Sequence, residues 1–426
     1  MNRLKRFSTE TQYDLAKDDF EYATVSWVED VDDVRYMLKP DYSTEYLTFE
    51  ALEDGTFTFT MTSNLSPSYV PSISYSIDNG ETWITTTNVS NQDVIVTTPT
   101  IAQGNKVLWK STAKQFCVNT ETYPGSKIGY GSFTSTGNYN VSGNIMSLLY
   151  SDNFSERIDL PTPAYSSNYY GNGVFGFLFG RNNTKLVSAK NLIIPATNLT
   201  GGCYTYMFND CTSLTTAPSL PATTLTSSCY CGMFKGCTSL ITAPELPATT
   251  LSSSCYSSMF YGCTSLTTAP ELPATTMQTQ CYGQMFQNCT SLTTVPELPA
   301  TTLEDYCYQY MFEGCTSLTT APELPATTLA TYCYQDMFYG CTSLTIAPEL
   351  PATTLVNHCY DNMFRGCTRL NYIKAMFTTI PSNTYTNYWV SGVSSTGTFV
   401  KNNNATWNVT GVNGVPTDWT VQTASE

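Results

Sequence analysis

The stretch Cys307-Tyr-Gln-Tyr-Met-Phe-Glu-Gly-Cys315-Thr-Ser-Leu-Thr-Thr-Ala-Pro-Glu-Leu-Pro-Ala-Thr-Thr-Leu329 decides the fold of the second half of the chain. Close copies recur every 26 residues, and each copy has a second cysteine eight residues after the first. A fixed period of this length, with leucine at set positions, predicts a leucine-rich-repeat solenoid of seven units over residues 203–370. The units start at Cys203, Cys229, Cys255, Cys281, Cys307, Cys333 and Cys359.

The seven copies can be compared position by position, with the first cysteine as position 0. Apolar side chains recur at positions 0, 1, 4, 5 and 8, which predicts one face of an α-helix of about three turns. Position 7 holds only Gly, Asn or Asp, which end helices in a left-handed conformation. An extended segment then begins at Leu318 in the quoted unit, and its two prolines argue against a long regular strand. Each unit is therefore predicted to contain a helix, a turn and a short strand or polyproline stretch.

The cysteines of the repeats are predicted to be reduced. Both series lie on the predicted buried face, where cysteine packs as a small hydrophobic side chain. Two cysteines eight residues apart on a helix would be about 12 Å apart, which is beyond the reach of a disulfide. Zinc is not expected, because no Cys-x-x-Cys pair or supporting histidine is present. Cys231 stands outside both series and is predicted to be an exposed free thiol. No metal and no cofactor are predicted.

The whole chain is predicted to be a multidomain α+β protein, with an N-terminal β-sandwich followed by a capped solenoid. The acidic turn 29–33 is expected at the tip of a hairpin, and calcium binding there is the weaker alternative because the turn lacks the spaced ligands of a calcium loop. The predicted regions are residues 1–40 (N-terminal anchoring segment), 41–115 (small β-sandwich), 116–202 (β-rich transition and solenoid N-cap), 203–370 (seven repeats) and 371–426 (C-terminal cap).

Both ends of the solenoid have candidate caps. Residues 177–199 form a degenerate unit that lacks both cysteines and is three residues longer than the others. Residues 372–381 form a last imperfect unit, and Trp389, Trp407 and Trp419 are predicted to close the open end of the core.

Residues 76–83 read Ser-Ile-Asp-Asn-Gly-Glu-Thr-Trp, which matches the Asp-box hairpin of sialidase propellers. In such a hairpin the carboxylate accepts hydrogen bonds from the turn, the glycine allows the turn and the tryptophan packs beneath it. The motif occurs once and no propeller blades surround it. It therefore predicts a structural brace rather than a catalytic site.

Composition excludes several classes of function. The chain has 19 Lys plus Arg against 34 Asp plus Glu, a formal charge of −15, which argues against nucleic acid and anionic membranes as partners. No apolar run is long enough for a membrane helix, and the N-terminus lacks the apolar segment of a signal peptide, so export by the general secretory route is not expected. His358 is the only histidine. No catalytic arrangement can be built around it, and we expect no enzyme activity.

Two sets of residues remain as candidates for binding. One glutamate per unit, at Glu245, Glu271, Glu297, Glu323 and Glu349, predicts an exposed acidic stripe, with a pair of glycosidase carboxylates as the weaker alternative. The other set lies at the predicted helix positions that change freely between units. Those positions could bind a protein or a glycan, or could vary because nothing constrains them. The candidate binding residues are Tyr306, Tyr310, Tyr332, Asp336, Tyr339 and His358.

Several stretches outside the repeats resemble virion fibre or adhesion proteins of phages that infect gut bacteria, especially the crAss-like group. They include Phe7-Ser-Thr-Glu-Thr-Gln-Tyr-Asp14, Thr24-Val-Ser-Trp-Val-Glu-Asp30, Val34-Arg-Tyr-Met37, Tyr46-Leu-Thr-Phe-Glu-Ala-Leu-Glu-Asp-Gly55, Gly143-Asn-Ile-Met-Ser-Leu-Leu-Tyr150 and Gly397-Thr-Phe-Val-Lys-Asn402. The repeats themselves resemble leucine-rich repeats of the bacterial surface-antigen type, whose period is somewhat shorter.

This resemblance implies a capsid or tail fibre, located on the virion surface and made in the host cytoplasm. The N-terminal segment would contact other virion proteins, and the solenoid would bind a host surface protein or glycan. A homo-trimer is expected by the same analogy, without nucleic-acid binding or membrane insertion. A bacterial cell-surface adhesin is the alternative, and a carbohydrate-active enzyme is a more distant one.

Overall fold

The computed structural model describes residues 23–30, 33–40, 45–61, 72–86, 94–113, 116–119, 128–161, 173–181 and 183–424. At the N-terminal end of this part, β1 (Ala23–Asp30) and β2 (Asp33–Pro40) pair in antiparallel register, with Asp30 opposite Asp33. The predicted hairpin is therefore confirmed. The rest of the predicted anchoring segment lies outside the described residues.

Two sheets form the first half of the described chain. Their strands are β3 (Leu47–Ala51), β4 (Phe57–Met61), β5 (Ile73–Ser76), β6 (Ile84–Thr86), β7 (Val94–Thr97), β8 (Lys106–Ser111), β9 (Cys117–Asn119), β10 (Ile128–Ser135), β11 (Tyr139–Asn144) and β12 (Leu186–Ile193). One sheet has the order β7-β4-β10-β9 and the other β12-β11-β3-β8-β5-β6. Both sheets therefore include strands from either side of residue 115.

The aromatic core of this region joins the two sheets. Phe49 of β3 lies 4.9 Å from Phe133 of β10 between ring centroids, at an interplanar angle of 83°. Trp109 of β8 lies 5.0 Å from the same Phe133 ring, at 66°. All three side chains are fully buried. Edge-to-face and tilted contacts are favourable because the positive edge of one ring meets the negative face of another.

The prediction of α-helices in the repeats is wrong. Among the described residues the single α-helix is α1 (Ser147–Tyr150), which lies outside the repeats, so the α+β class gives way to a mostly β chain. Each unit instead has a turn segment, which we define as the ten residues from position −1 to position 8. In the fifth unit, Met311 N–H donates to the Tyr308 carbonyl three residues earlier, whereas Tyr310 N–H donates to the Gln335 carbonyl of the next unit. The other residues of the segment alternate in the same way between the two kinds of bond.

The backbone of a turn segment repeats every four residues, and this explains the wrong prediction. Tyr306, Tyr310 and Gly314 have φ values of 61°, 58° and 70°, at the third residue of successive β-turns, where a type II turn requires φ above zero. An α-helix repeats every 3.6 residues and mixes spacings of three and four. Apolar residues at positions 0, 4, 8 and 1, 5 are spaced strictly by four, which suits this turn spiral better than a helix.

Consecutive units stack on one another. Besides the hydrogen bonds between turn segments, single parallel bridges join the extended segments, as between Thr216 and Thr242 and between Thr242 and Thr268. The Ser188–Thr216 bridge connects β12 to the first unit, and the Ile346–Tyr372 bridge connects the sixth unit to the C-terminal sheet. The extended segments contain no long strand, as the prolines predict.

Side chains at the same position of successive units form columns. The Phe rings at position 5 lie 5.4–5.8 Å apart from Phe208 to Phe364 and are nearly parallel, with interplanar angles of 3° to 10°. The Tyr rings at position 1 form a second column from Tyr204 to Tyr360, with spacings of 5.6–6.0 Å. Leucines of the extended segments, such as Leu318 and Leu324, are also buried in the core.

Both ends of the stack are covered. On the N-terminal side, residues 173–181 form a cysteine-free turn segment in which Phe175 N–H donates to the Cys203 carbonyl. On the C-terminal side, β13 (Tyr372–Ala375), β14 (Thr398–Lys401) and β15 (Thr420–Thr423) form a parallel sheet. Trp389, Trp407 and Trp419 are buried there, and the Trp389 ring lies 5.9 Å from Phe377. No helix in the described part of the chain is long and apolar enough to span a membrane.

Candidate binding face of the repeats

The variable positions of the turn segments share one face of the stack. We define the variable face as positions −1, 2, 3 and 6 of the units, because positions 0, 1, 4, 5 and 8 hold the buried Cys, Tyr, Met, Phe and Cys columns. In units two to seven, every residue at positions −1 and 3 has a positive φ. In units five to seven the variable face comprises Tyr306, Gln309, Tyr310, Glu313, Tyr332, Gln335, Asp336, Tyr339, His358, Asp361, Asn362 and Arg365.

Three of the predicted binding residues form an aromatic column. The Tyr306 and Tyr332 rings are 4.9 Å apart at 11°, and the Tyr332 and His358 rings are 4.5 Å apart at 3°. Because each ring covers the face of its neighbour, the column offers ring edges and polar atoms to a partner. This arrangement suits hydrogen bonding better than the stacking of a sugar on an open ring face.

His358 is engaged within its own unit. Its Nδ1 lies 2.6 Å from Oδ2 of Asp361, and Oδ1 of Asp361 accepts the Asn387 backbone N–H at 3.0 Å. Asp361 is almost fully buried. His358 is therefore held in a packed pair with Asp361. The contacts of this pair include no nucleophilic side chain.

Tyr310, Asp336 and Tyr339 lie beside one another in two neighbouring units. Burial raises the pKa of Asp336 to about 6, and the charge of Asp361 acts in the same direction, whereas a hydrogen bond from Asn362 and the charge of Arg365 oppose the rise. Arg365 also lies over the Tyr339 ring, 5.6 Å from its centroid, a cation–π contact. Burial raises the pKa of Tyr310, and the nearby carboxylates of Asp336 and Glu313 add to the effect.

Two residues that the sequence did not single out belong to the same group. The Gln287 side-chain amide donates to Oε2 of Glu313 at 2.5 Å, across the boundary between units four and five. Burial raises the pKa of Glu313 to about 7, and the charge of Asp336 adds to this, against the hydrogen bond from Gln287. Both residues occupy position 6. A comparison of the residues at position 6 in units four to seven could have identified them. These residues are Gln287, Glu313, Tyr339 and Arg365.

The side chains of the variable face are smaller in its N-terminal part. Positions −1 and 3 of units two and three hold Ser228, Gly232, Ser254 and Ser258. Cys231 also lies here, and the prediction of an exposed thiol is wrong, because its exposed fraction is 1%. The Tyr206 side chain of the preceding unit reaches over this region. A Cβ atom at Gly232 would lie 2.1 Å from the Tyr206 ring, which shows how closely the ring approaches.

The fifteen cysteines of the repeats are all free and buried. Burial raises the pKa of these thiols, to about 12 for Cys367, so they are not thiolates near neutral pH. The cysteines at position 8 do more than fill space: Cys315 Sγ, for example, lies 3.1 Å from the Phe286 carbonyl oxygen of the preceding unit. The equivalent contact is 3.0–3.1 Å for Cys211, Cys237, Cys263, Cys289, Cys341 and Cys367.

The glutamate stripe is exposed on the extended segments, as predicted. Glu349, at its C-terminal end, forms an ion pair with Lys374 of β13 at 2.9 Å. In the described part of the chain no group of three or more His, Cys, Asp or Glu side chains is arranged to hold a metal ion.

The Asp-box hairpin forms the predicted brace at the end of β5. Asp78 Oδ1 accepts bonds from the Ser76 hydroxyl at 2.6 Å and the Thr82 backbone N–H at 2.9 Å. These bonds lower the pKa of Asp78 to about 2. Gly80 has a φ of 91°, and the Trp83 ring packs 4.9 Å from Tyr46. The hydrogen bonds of the carboxylate are used to hold the turn.

Comparison with known families identifies the repeats. Residues 185–310 and 253–391 match the BspA type leucine rich repeat region, in six copies. The chain carries BspA-type leucine-rich repeats. These repeats indicate a surface or adhesion type of repeat protein. Comparisons with curated proteins and with solved structures gave no match.

Proposed function

We propose that the chain is a non-enzymatic adhesion protein, in which a solenoid of BspA-type repeats presents the variable face to a surface protein or glycan. The N-terminal sheets and the C-terminal cap would hold the stack rigid, and Tyr306, Tyr310, Tyr332, Asp336, Tyr339 and His358 would contact the partner. The BspA-type repeats support the adhesion role, since they are typical of surface proteins rather than of enzymes.

One observation carries this proposal. Tyr306, Tyr310, Tyr332, Asp336 and His358 have φ between 54° and 61°, a conformation that costs a side chain about 1 kcal/mol or more and that glycine adopts freely. Position 7 faces the same backbone demand and is glycine in five of the seven units. Large side chains kept at strained positions indicate that the side chains themselves are used.

Cell binding by the full-length protein tests the role of the face. The triple variant Tyr306→Gly, Tyr310→Gly, Tyr332→Gly removes the side chains and should relieve backbone strain, so it should remain folded. We expect the native chain to bind intact cells of a panel of gut bacteria, or a glycan array, and the variant to lose most of that binding. A matched variant in the exposed stripe, Glu297→Gln, should bind normally. Equal binding by the native chain and the triple variant would refute the proposal.

We further propose that the protein stands on a phage particle, as a capsid or tail fibre on the virion surface. The motifs of the N-terminal half that resemble crAss-like virion proteins support this location. The N-terminal segment would attach the protein to other virion proteins, and a homo-trimer would be the assembled form. Mass spectrometry of purified phage particles should detect the protein, and its absence from particles of a phage that encodes it would contradict this location.

A bacterial cell-surface adhesin is the second candidate, and the BspA-type repeats favour it equally. The two candidates differ in where the protein is found, on particles or on the cells that produce it. Antibody labelling of uninfected producing cells distinguishes them. A carbohydrate-active enzyme would be supported only if the intact protein released product from a glycan that it binds.

A further inference from the structure

The serines of unit three form the floor of a depression in the variable face, which we call the serine slot. Ser254, Ser257 and Ser258 occupy positions −1, 2 and 3, and their exposed fractions are 9%, 2% and 6%. Larger side chains at the same positions of another unit, such as Tyr306 and Tyr310, are partly exposed. Short side chains that are buried on an outer face lie below their neighbours, so unit three is recessed.

Taller side chains flank the slot on both sides along the stack. On the N-terminal side, the Tyr206 ring extends over unit two, where it takes the space that a side chain at Gly232 would need. The Phe177 ring stacks on Tyr206 from the preceding turn segment, 5.0 Å away at 23°. On the C-terminal side stand Gln280 and Gln284 of unit four, both partly exposed. The slot is therefore one unit wide.

A slot of this width has room for one flat ring. The Phe rings at position 5 of units two, three and four are 5.7 and 5.6 Å apart. In units five to seven, one aromatic ring per unit fills position −1, at spacings of 4.9 and 4.5 Å. Unit three has Ser254 at this position. A ring supplied by a ligand can therefore take the place that Tyr306 fills in unit five.

The slot contains hydrogen-bonding groups without partners. Ser254 is nine-tenths buried; its backbone N–H donates to the Thr279 carbonyl, but its hydroxyl makes no hydrogen bond within the described part of the chain. The Ser258 hydroxyl donates to Oε1 of Gln284 at 3.0 Å, which fixes the Gln284 amide. Its Nε2 group, which can donate two hydrogen bonds, has no partner among the described residues. A sheltered polar group gains from a ligand that completes its hydrogen bonds.

The slot is also uncharged. Positions −1, 2 and 3 of units two to four hold only Ser, Cys, Gly and Gln, whereas the same positions of units six and seven include Asp336, Asp361 and His358. Lys235, at position 6 of unit two, is held over the Tyr261 ring, 4.4 Å from its centroid. A charged ligand would lose water here without gaining a counter-charge, so a neutral ligand is favoured.

We propose that the serine slot binds one ring of a neutral sugar. Sugar hydroxyls both donate and accept hydrogen bonds, which matches the Ser254 hydroxyl and the Gln284 amide. The C–H face of the sugar ring packs against the Tyr206 side of the slot. An aromatic ring of a partner protein would fit the width but would leave the Ser254 hydroxyl unmatched. This inference rests on the proposed function, because it names the class of ligand that the variable face recognises.

Saturation-transfer NMR titration of the full-length protein with the methyl glycosides of glucose, galactose, mannose and N-acetylglucosamine tests the proposal. We expect at least one of the four to bind. Ser254→Tyr should abolish this binding, because it fills the slot with the ring that Tyr306 carries at the same position and a similar φ. The matched control is Thr275→Tyr, which adds the same ring to an exposed extended segment of unit three and should change binding less than twofold.

Two smaller changes test the hydrogen bonds of the slot. Ser254→Ala removes only the hydroxyl and should weaken binding about fivefold. Gln284→Glu keeps an acceptor for the Ser258 hydroxyl but removes the amide donor, and it should weaken binding by a similar factor. Binding that is unchanged in both variants would overturn the sugar slot, even if Ser254→Tyr failed to fold.

The outcomes separate this inference from the proposed function. Absence of glycoside binding, or equal binding by the native chain and Ser254→Tyr, would overturn the slot. Phenol binding that is lost in Ser254→Tyr, without glycoside binding, would show an aromatic slot and would overturn the sugar. Cell binding by the native chain would in each case leave the adhesion function standing. Glycoside binding in the slot without any cell or glycan binding would support the slot and contradict the adhesion function.

Discussion

The two halves of the molecule build aromatic cores in opposite ways. In the sheets, Phe133 meets Phe49, Phe59 and Trp109 at angles of 83°, 56° and 66°, and these residues come from separate strands. In the repeats, the Phe at position 5 of each inner unit meets its own counterparts, nearly parallel, one unit before and one unit after. A sheet core of this kind depends on many different long-range contacts, whereas the repeat core uses the same contact between each pair of successive units. The repeat region can therefore change its outer side chains without rebuilding its interior.

The largest expected effect comes from removing one ring in each region. Phe133→Ala and Phe312→Ala both empty a fully buried site and should each cost about 3–5 kcal/mol. The extent of the destabilised region should differ between the two variants, because a repeat contacts only its neighbours. Hydrogen exchange measured by mass spectrometry should show faster exchange throughout the sheets for Phe133→Ala.

For Phe312→Ala, faster exchange should be confined to units four to six. Equal acceleration in the sheets and in all units would contradict the difference between the two cores.

The two cysteine columns should respond differently to serine. Cys211 Sγ lies 3.1 Å from the Phe179 carbonyl oxygen, whereas Cys203 Sγ lies 3.9 Å from the Cys229 carbonyl oxygen. Cys211→Ser keeps a donor for its acceptor, and we expect it to cost less than about 1 kcal/mol. Cys203→Ser buries a hydroxyl that is poorly placed to bond and should cost about 1–3 kcal/mol. Urea denaturation of both variants measures the difference.

Alanine at the same two positions provides the control for these serine variants. Cys211→Ala should be worse than Cys211→Ser, because the donor is lost. If serine and alanine behaved alike at Cys211, the thiol would have no hydrogen-bonding role.

A buried hydroxyl should matter in the sheets and not in the repeats. The Tyr308 hydroxyl is buried without a hydrogen bond, so Tyr308→Phe should be neutral or stabilise by up to about 1 kcal/mol. Tyr139 is equally buried, but its hydroxyl accepts the Asn183 amide at 2.8 Å. Tyr139→Phe should therefore destabilise by about 1 kcal/mol. Thermal denaturation should give the highest melting temperature for Tyr308→Phe, then the native chain, then Tyr139→Phe. The reverse order would contradict the packing described for these two hydroxyl groups.

The smallest effect is a pH dependence that belongs to the repeats. The pKa of Glu313 is raised to about 7 in the folded chain, so the folded state binds more protons than the unfolded state at mildly acidic pH. Stability contributed by this group is present at low pH and falls as the pH rises towards 7. Glu313→Gln should remove part of that fall, whereas Glu323→Gln on the exposed extended segment should leave it unchanged. Melting temperatures between pH 4.5 and pH 8 test this, and identical profiles for Glu313→Gln and the native chain would contradict it.

The sequence predicted the repeat period, the buried columns and the Asp-box brace because each depends on which side chains recur. It did not predict the backbone of the turn segments, since positions 0, 1, 4, 5 and 8 fit a helix almost as well as a four-residue turn spiral. The distinguishing signal was the presence of Gly, Ser, Asn or Asp at half of the positions −1 and 3 as well as throughout position 7. The Tyr, Gln and His side chains at the other positions −1 and 3 conceal it.

The candidate binding residues were only partly predictable for a related reason. Variation between units pointed to Tyr310 and Asp336, which lie at position 3, and to the aromatic column at position −1. Gln287 and Glu313 vary in the same way, but their contact crosses from one unit to the next and depends on the stacking of the turn segments. Cys231 was misplaced because its surroundings depend on the unit before, whose Tyr206 ring lies against the neighbouring Gly232.

The central claim is that the repeats are built from stacked turn spirals whose interior is constant and whose outer side chains are free to vary. A crystal structure of the full-length protein tests it most directly. It should show positive φ at Tyr306, Tyr332 and His358, N–H groups bonded alternately within a unit and to the next unit, and parallel rings about 5–6 Å apart. Continuous α-helices with bonds between residues four apart, or disulfides between the cysteine columns, would contradict the account.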